Sequence, residues 1–478
     1  MTTITELFAC VDEVSGTRTA AARAGDAPLL PVVGASTTVP LVDGTSRTYA
    51  NLDCAASAPA LESVSARVAE VLPLYASVHR GAGYLSQVST ALYEASRQAI
   101  AAFVGARKDD VAVITRNTTD SLNLLAGVVP PGGAVLVLDV EHHANLLPWV
   151  QHSGGAHAGT GRTATILPLE PTVAATLDAL RAELARRPYA LLTLTGASNV
   201  TGEALPLDRV VELAHAAGAR VAVDGAQLVP HRGFSLADTD VDYVAFSGHK
   251  TYAPFGAGAL VGRRDWLDTG TPYLAGGGAV RDVRTDRTVW QPAPARHEAG
   301  SPNVLGAIAL AQACDTLAAL PAGALEAHEQ ALRARLVAGL EGLDGVHVAR
   351  IWPDSPDPVG VVTFTVGDLN PGLVAAYLSA EHGIGVRDGR FCAHPLLAHL
   401  GASHGAVRAS VGVGTTREHV DRLVDALAAL LRRGAQAEYE VVDGCWSVVD
   451  DTRPLVQVQG LDHLAATAAA ACGPALDD

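Results

Sequence analysis

Short apolar runs alternate with amphipathic segments between about residue 45 and residue 265, and this alternation limits the possible folds most strongly. The segment 207–219 has apolar residues at three- and four-residue spacing, which is typical of a helix that covers a core. Strands alternating with such helices predict an α/β fold with a mainly parallel sheet covered by helices. The runs typical of strands buried on both faces are 111–114, 134–140, 190–196, 220–226 and 243–248.

The chain has 478 residues, which at about 150 residues per domain predicts two or three domains. The C-terminal part contains a long Ala/Leu-rich helix (324–343), a strand (360–366) and a final helix (417–433), typical of a smaller α/β unit. The predicted units are an N-terminal segment (1–44) packed with the small domain, a large domain (45–310), a small domain (311–435) and an extension without an assigned role (436–478).

The charge and the cysteines exclude several classes of protein. A net charge of −16, without basic runs, argues against a nucleic-acid partner. No apolar stretch reaches the roughly 18 residues of a membrane span, and the acidic N-terminus is unlike a signal peptide. Because the six cysteines are far apart and form no CxxC pair, we expect free thiols in a reducing cytoplasm.

Polar residues follow each predicted strand of the large domain. In parallel α/β sheets, ligands bind beyond the carboxyl ends of the strands, where these side chains converge. Each one alone could be an ordinary turn residue, but all of them together predict a site. They are Thr118 and Thr119, Glu141 and His142, Ser198 and Asn199, Asp224 and Gln227, and Ser247 to Lys250.

Lys250 is the first candidate for chemistry. Of 34 basic residues only Lys108 and Lys250 are lysines, so arginine serves wherever charge alone is needed. A lysine amine can lose its proton, whereas a guanidinium cannot. Enzymes that use pyridoxal phosphate need such an amine to form a Schiff base. An isolated lysine is more often structural, so this hypothesis needs further residues.

Asp224 and the Thr118-Thr119 pair are further residues that support a pyridoxal-phosphate site. A pyridoxal ring acts as an electron sink while its nitrogen stays protonated, which an adjacent carboxylate such as Asp224 secures. Thr118 and Thr119 open an apparent helix, whose free N–H groups can bind a phosphate. Both features have a simpler interpretation, because Asp and Thr also cap helices and turns.

His142 and Cys392 complete the candidates. His142 could stack on the ring and move protons, whereas the Glu141-His142-His143 run lacks the spacing that places metal ligands on one helix face, so we predict no metal. Arg387, Arg390 and His394 surround Cys392 in the sequence and could favour its thiolate. A free cysteine is also commonly a small buried apolar residue, so both interpretations remain open here.

Together these motifs resemble the class V aminotransferase-fold enzymes, and within them the group II (Suf-type) cysteine desulfurases and selenocysteine lyases. The resemblance extends from about residue 30 to residue 433. It implies the pyridoxal-phosphate-dependent transferase fold of type I, a homodimer with shared active sites and a possible sulfur-acceptor protein. The segments that carry it are NLDCAASAPA, VHRGAGYLS, RNTTDSLNLLA, EHHANLLPW, SNVTGEALP, VDGAQ, FSGHKTYAPFGAG and RHEAGSPN.

The resemblance implies roles for individual residues. The catalytic residues are the Schiff-base Lys250, the ring-stacking His142 and the persulfide-forming Cys392. The residues implied to bind the cofactor are Asp224 at the ring nitrogen, Gln227 at the phenolic oxygen, Asn199, and the phosphate ligands Thr118, Thr119, Ser247, His249 and, toward the neighbouring subunit, Ser301. The residues implied to bind the amino-acid substrate are His79, Asn199, Arg387 and Arg408.

The implied reaction removes sulfur from L-cysteine, or a related sulfur or selenium amino acid, through a Cys392 persulfide and leaves alanine. The sequence departs from the family where Arg390-Phe391 replace two histidines before Cys392, where Cys54 replaces a serine, and in the C-terminal extension. An alternative is therefore an aminotransferase, epimerase or C–S lyase of specialised metabolism in which Cys392 is not the nucleophile. A scaffold without a cofactor is a third hypothesis, against which the retained Lys250, Asp224 and His142 argue.

Overall fold

The computed structural model describes residues 24–79, 81–153 and 161–454. Cys10 and Cys472 lie outside these ranges. Its strands are β1 (Thr38–Pro40), β2 (Ser46–Thr48), β3 (Ala50–Asn51), β4 (Asp110–Thr115), β5 (Ala134–Leu138), β6 (Thr163–Leu167), β7 (Leu191–Thr195), β8 (Arg220–Asp224), β9 (Tyr243–Ser247), β10 (Gly258–Arg263), β11 (Val280–Val283), β12 (Thr288–Trp290), β13 (Val346–Val348), β14 (Val361–Val366), β15 (Ile384–Gly385), β16 (Arg387–Gly389), β17 (Ala406–Ser410), β18 (Tyr439–Val442) and β19 (Cys445–Val448).

The helices alternate with these strands through most of the chain. None within the described residues is both long and apolar enough to cross a bilayer. They are α1 (Glu62–Val71), α2 (Tyr84–Phe103), α3 (Thr118–Val128), α4 (Leu147–His152), α5 (Val173–Arg186), α6 (Leu207–Ala216), α7 (Leu236–Thr239), α8 (Arg264–Thr269), α9 (Val304–Ala318), α10 (Ala324–Glu341), α11 (Pro371–His382), α12 (His394–His399) and α13 (Arg417–Arg433).

The large sheet has seven strands in the order β4-β10-β9-β8-β7-β5-β6. The four pairings among β6, β5, β7, β8 and β9 are parallel, and β10 runs antiparallel to both of its neighbours. The predicted mainly parallel α/β sheet is therefore confirmed. Several strands end earlier than predicted, because residues such as Gly225 and Gly248 belong to the turns that follow them.

The strands of this sheet other than the edge strand β6, which is partly exposed, are buried on both faces. Leu136 and Leu138 of β5 pack in the core that includes side chains of α2, α5, α6 and α9. Val135 and Val137 point to the other face, where α3, α4 and α8 supply the apolar side chains. Successive side chains of a strand point to opposite faces, and both faces are covered by apolar side chains. Successive residues of these strands are therefore mostly apolar, rather than alternately apolar and polar.

A second, antiparallel sheet has the order β13-β14-β17-β16. Helices α10, α11 and α13 pack against it through side chains such as Leu336, Tyr377 and Leu427. The segment 24–44 lies along this part of the chain, where the Leu29 N–H donates to the Val413 carbonyl at 2.7 Å. Helix α10 ends at Glu341 rather than at the predicted residue 343, with Gly342 as its C-cap.

The described part of the C-terminal extension is a hairpin of β18 and β19. Its two turn residues, Asp443 and Gly444, both have positive φ, as tight hairpin turns require. The hydroxyl of Tyr439 donates to Glu381 at the end of α11, at 3.1 Å. Trp446 lies against Gly372 at the start of the same helix. The domain boundaries at 44, 310 and 435 stay predictions.

Candidate active site

A cavity of about 370 Å³ lies at the carboxyl ends of the central strands, where the sequence predicted a ligand site. It gathers every residue with a predicted catalytic or binding role except His79 and Ser301. The predicted residues that line it are Thr118, Thr119, His142, Asn199, Asp224, Gln227, Ser247, His249, Lys250, Arg387, Cys392 and Arg408.

Lys250 enters this cavity from the turn that follows β9. The turn is closed by hydrogen bonds to the Ser247 carbonyl from the N–H groups of Lys250 (3.3 Å) and Thr251 (3.2 Å). Only glycine fits at position 248, because a Cβ there would lie 2.8 Å from the Ala257 carbonyl oxygen. Burial lowers the pKa of the Lys250 amine, and the nearby Asp224 acts in the opposite direction. Burial therefore shifts this amine toward its neutral, nucleophilic form.

Asp224 is the last residue of β8, and its side chain is only 3% exposed. Its Oδ1 accepts a hydrogen bond from the Ala226 N–H at 3.0 Å. Burial raises the pKa of this carboxyl, while the Ala226 N–H and the charge of Lys250 lower it. A buried carboxylate of this kind is best stabilised by a cationic partner inside the cavity.

Hydroxyl and N–H groups at the start of α3 form another wall. The Ser247 side-chain oxygen accepts from the Thr118 N–H at 2.7 Å and lies 2.6 Å from the Thr118 hydroxyl. The N-cap is Asn117, which accepts from the Asp120 N–H at 2.9 Å. The Thr residues are therefore the first helical residues rather than the cap, and the simpler capping interpretation does not account for them. Such a helix start is suited to binding an anion.

His142 lies between β5 and a short 3-10 helix, His143–Asn145. Its Nδ1 accepts from the Ala144 N–H at 3.0 Å. Burial, reinforced by the charge of Lys250, lowers its pKa to about 3. The imidazole is therefore neutral near pH 7, with its proton on Nε2. Among the residues that the structure describes, no cluster of His, Cys, Asp and Glu side chains is placed to bind a metal.

Arg408, Asn199 and Arg387, which the resemblance implies in substrate binding, line the same cavity as Lys250. Arg408 of β17 is 3% exposed, donates from Nη1 to the Asn199 carbonyl (2.8 Å) and pairs through Nη2 with Asp53 (3.2 Å). Its buried Nε has no hydrogen-bond partner. Arg387 of β16 is its cross-strand neighbour. Cys392 is exposed, and its carbonyl accepts from the His143 N–H at 2.8 Å.

The structure places two predicted residues away from this cavity. His79 is exposed, and its Nε2 lies 3.0 Å from Glu94 Oε1, beside a separate cavity. Ser301 is also exposed and lines a third cavity with Tyr93 and Tyr273. Ser301 is expected to serve the neighbouring subunit, and this role stays a prediction.

Other residues at the site had no predicted role. Asn117 and Thr195 line the cavity, and Asp53 pairs with Arg408. The N-cap preference of Asn could have identified Asn117, because it directly precedes two Thr residues. Asp53 has no such signal, since only the fold brings it to Arg408. Glu141 was noted only as a strand-end residue.

Glu141 is a buried carboxyl directly behind the site. It is 1% exposed and accepts from Asn145 Nδ2 (2.7 Å) and from the Thr195 N–H (3.0 Å). Burial raises its pKa to about 8, and the charge of Asp224 acts in the same direction. Glu141 therefore carries a proton in the folded protein near pH 7 and adds no second negative charge beside Asp224.

We expect Glu141→Gln to change how stability depends on pH. Between pH 5 and pH 8 an unfolded Glu has lost its proton while folded Glu141 retains one, so the wild-type protein loses stability as pH rises. The variant lacks this loss, so its free energy of unfolding rises relative to wild type by at most about 1.4 kcal/mol per pH unit. Urea unfolding of both proteins at pH 6 and pH 8 measures it. A pH-independent difference would contradict the assignment.

Comparisons with known proteins agree with this geometry. The sequence profile of the family described as aminotransferase class V matches residues 50–423. A cysteine desulfurase of Pectobacterium atrosepticum is 38% identical over 391 residues, which cover 80% of this chain and 93% of that protein. A cysteine desulfurase of Haloferax volcanii is 33% identical over 386 residues, 79% of this chain and 88% of that protein.

Solved structures of cysteine desulfurases also match this chain. The cysteine desulfurase CsdA of Escherichia coli, with an S-sulfonic acid, matches with a TM-score of 0.71 and 35% identity, covering 80% of this chain and 94% of that chain. The apo cysteine desulfurase of Thermococcus onnurineus NA1 matches with a TM-score of 0.72 and 31% identity, over 80% and 95% of the two chains.

Proposed function

This chain belongs to the aminotransferase class V family, and from that premise we propose that it is a pyridoxal-phosphate enzyme that removes sulfur from L-cysteine. Similar proteins from several organisms are named cysteine desulfurase or probable cysteine desulfurase, and their matches cover most of this chain. The observation that carries the proposal is a single cavity lined by an amine with a lowered pKa, a buried carboxylate and an exposed thiol, namely those of Lys250, Asp224 and Cys392.

The residues present fit pyridoxal phosphate. The Oε1 atom of Gln227 is buried and has no hydrogen-bond partner, so a polar group in the cavity is needed to satisfy it. Lys250 would carry the cofactor, Asp224 would pair with the ring nitrogen, and Thr118 and Ser247 would hold the phosphate. When bound, pyridoxal phosphate supplies an aldehyde that joins amines and a ring that takes up negative charge from Cα.

The chain's own residues handle the substrate and its protons. Arg408 would bind the substrate carboxylate, and Arg387 and Asn199 line the same cavity. Lys250 would accept the substrate proton, and burial lowers the pKa of its amine. Neutral His142 would stack on the ring and donate the proton held on Nε2.

Cys392 would accept the sulfur. Its thiolate Sγ attacks the substrate sulfur, so that an S–S bond forms while the substrate Cβ–S bond breaks and leaves its electron pair on the carbon side. Protonation of that carbon side then completes alanine. The net reaction converts L-cysteine and the Cys392 thiol into L-alanine and a Cys392 persulfide, with all atoms balanced.

We also propose the assembly implied by the family. In a homodimer with shared sites, Ser301 would reach the neighbouring subunit's phosphate, and His79 would join the substrate pocket. The exposure of Cys392 would allow an acceptor protein to take the sulfur. A cytoplasmic location stays a prediction.

An alternative retains the cofactor but makes Cys392 incidental: an aminotransferase, epimerase or C–S lyase. The observation that favours it is Phe391, which together with Arg390 replaces the two histidines expected before Cys392. In that case the thiol would not receive sulfur.

The proposal is tested by incubating the purified protein with L-cysteine, L-selenocysteine and a panel of other amino acids. We expect equal amounts of alanine and released or bound sulfur from L-cysteine, because the net reaction produces one of each. Pyruvate with ammonia, a keto acid or a racemised amino acid, without alanine, would instead support the alternative. The same protein reduced with borohydride before the assay is the inactive control.

A further inference from the structure

Phe391 lies between Arg408, which would bind the substrate carboxylate, and Cys392, which would accept the sulfur. It directly precedes Cys392, is 7% exposed, and lines the cavity. Its side chain packs with the apolar core that includes Leu396 and Leu397 of α12. The guanidinium carbon of Arg408 lies 5.1 Å from the centre of the Phe391 ring, which is the geometry of a cation–π contact.

The backbone at this point is held in an uncommon conformation. Phe391 and Cys392 both have positive φ, +51° and +54°, which non-glycine residues adopt only when surrounding contacts hold them. Two hydrogen bonds hold them here. Asn199 Nδ2 donates to the Phe391 carbonyl at 2.9 Å, and the His143 N–H donates to the Cys392 carbonyl at 2.8 Å.

These contacts form a closed triangle around Arg408. The Phe391 carbonyl binds the Asn199 amide, the Asn199 carbonyl binds Arg408 Nη1 (2.8 Å), and the guanidinium of Arg408 returns to the Phe391 ring. Nη2 is held by Asp53. The guanidinium carbon of Arg408 lies over the Phe391 ring, and the buried Nε of the same guanidinium has no hydrogen-bond partner.

We propose that Phe391 is a positioning residue, whose ring fixes the carboxylate-binding Arg408 while its carbonyl fixes the loop that carries Cys392. The inference deepens the proposed function and rests on it for the substrate class. It implies that the site selects α-amino acids over amines that lack the carboxylate, and that this preference depends on an aromatic ring at position 391.

The test compares Phe391→Leu, which retains apolar bulk but has no aromatic face, with Phe391→Tyr, which retains the face. L-alanine and ethylamine are the probes, because they differ in the carboxylate and neither contains sulfur. Dissociation constants come from spectral titration of the cofactor-loaded proteins, and KM and kcat are measured with L-cysteine. Alkylation of Cys392 by iodoacetamide in the cofactor-free proteins, followed on its peptide by mass spectrometry, checks that the loop stays folded.

For Phe391→Leu we expect the dissociation constant of L-alanine and the KM of L-cysteine to rise by about three- to thirty-fold. Ethylamine binding and Cys392 alkylation should stay within about two-fold, and Phe391→Tyr should resemble wild type. An equal loss of affinity for both probes, or an equal loss in both variants, would overturn the inference. If the wild-type protein binds L-alanine more tightly than ethylamine but releases no alanine from L-cysteine, the proposed function fails while the role of Phe391 stands.

Discussion

Lys250→Ala is expected to lower the release of alanine from L-cysteine by about 10³-fold or more, because the variant loses both the group that carries the cofactor and the proton acceptor. Lys250→Arg should be as inactive, since a guanidinium keeps its charge but cannot give up a proton near pH 7. The measurement is the rate of alanine formation, together with the absorbance of the bound cofactor.

The chain provides a matched control for this experiment. Lys108 is its only other lysine and is exposed. Lys108→Ala should retain wild-type turnover, and a borohydride-reduced wild-type protein should carry its cofactor label on the peptide that contains Lys250. Appreciable turnover by Lys250→Ala, or a label on Lys108, would contradict the assignment of the amine.

Cys392→Ala is expected to abolish the protein persulfide and to lower turnover of L-cysteine by roughly 10³-fold, because no other exposed thiol lies at the cavity among the described residues. Binding of L-cysteine should persist, since Arg408 and Lys250 are unchanged. Persulfide is measured by mass spectrometry of the intact protein, and binding by spectral titration.

Cys445→Ser is the control for this second prediction. Cys445 is partly exposed but lies in the β18–β19 hairpin, outside the cavity lining. This variant should form the persulfide at the wild-type rate. A Cys392→Ala protein that still turns over L-cysteine at the wild-type rate would favour the alternative in which Cys392 is not the nucleophile.

Much of the fold and the centre of the site could be predicted from the sequence. Strands buried on both faces are continuous apolar runs, and the polar residues after them, such as Asp224 and Lys250, necessarily converge at one edge of a parallel sheet. Helix α13 was predicted with its observed ends, because Arg417 and Arg433 bound a clear apolar periodicity.

The parts that could not be predicted depend on contacts between distant segments. Asp53 reaches Arg408 across more than 350 residues of sequence, and no local pattern indicates that pairing. The left-handed backbone at Phe391 is held by Asn199, which follows strand β7 of the large sheet. The elevated pKa of Glu141 comes from burial behind the strands, which its strand-end position does not reveal.

The central claim is that Lys250 carries pyridoxal phosphate with Asp224 facing the ring nitrogen. A crystal structure of the cofactor-loaded wild-type protein tests it most directly. We expect continuous electron density from Lys250 Nζ to the cofactor and an Asp224 carboxylate oxygen at about 2.6–3.2 Å from the ring nitrogen. A cofactor bound elsewhere, or a ring nitrogen beyond the reach of Asp224, would contradict it.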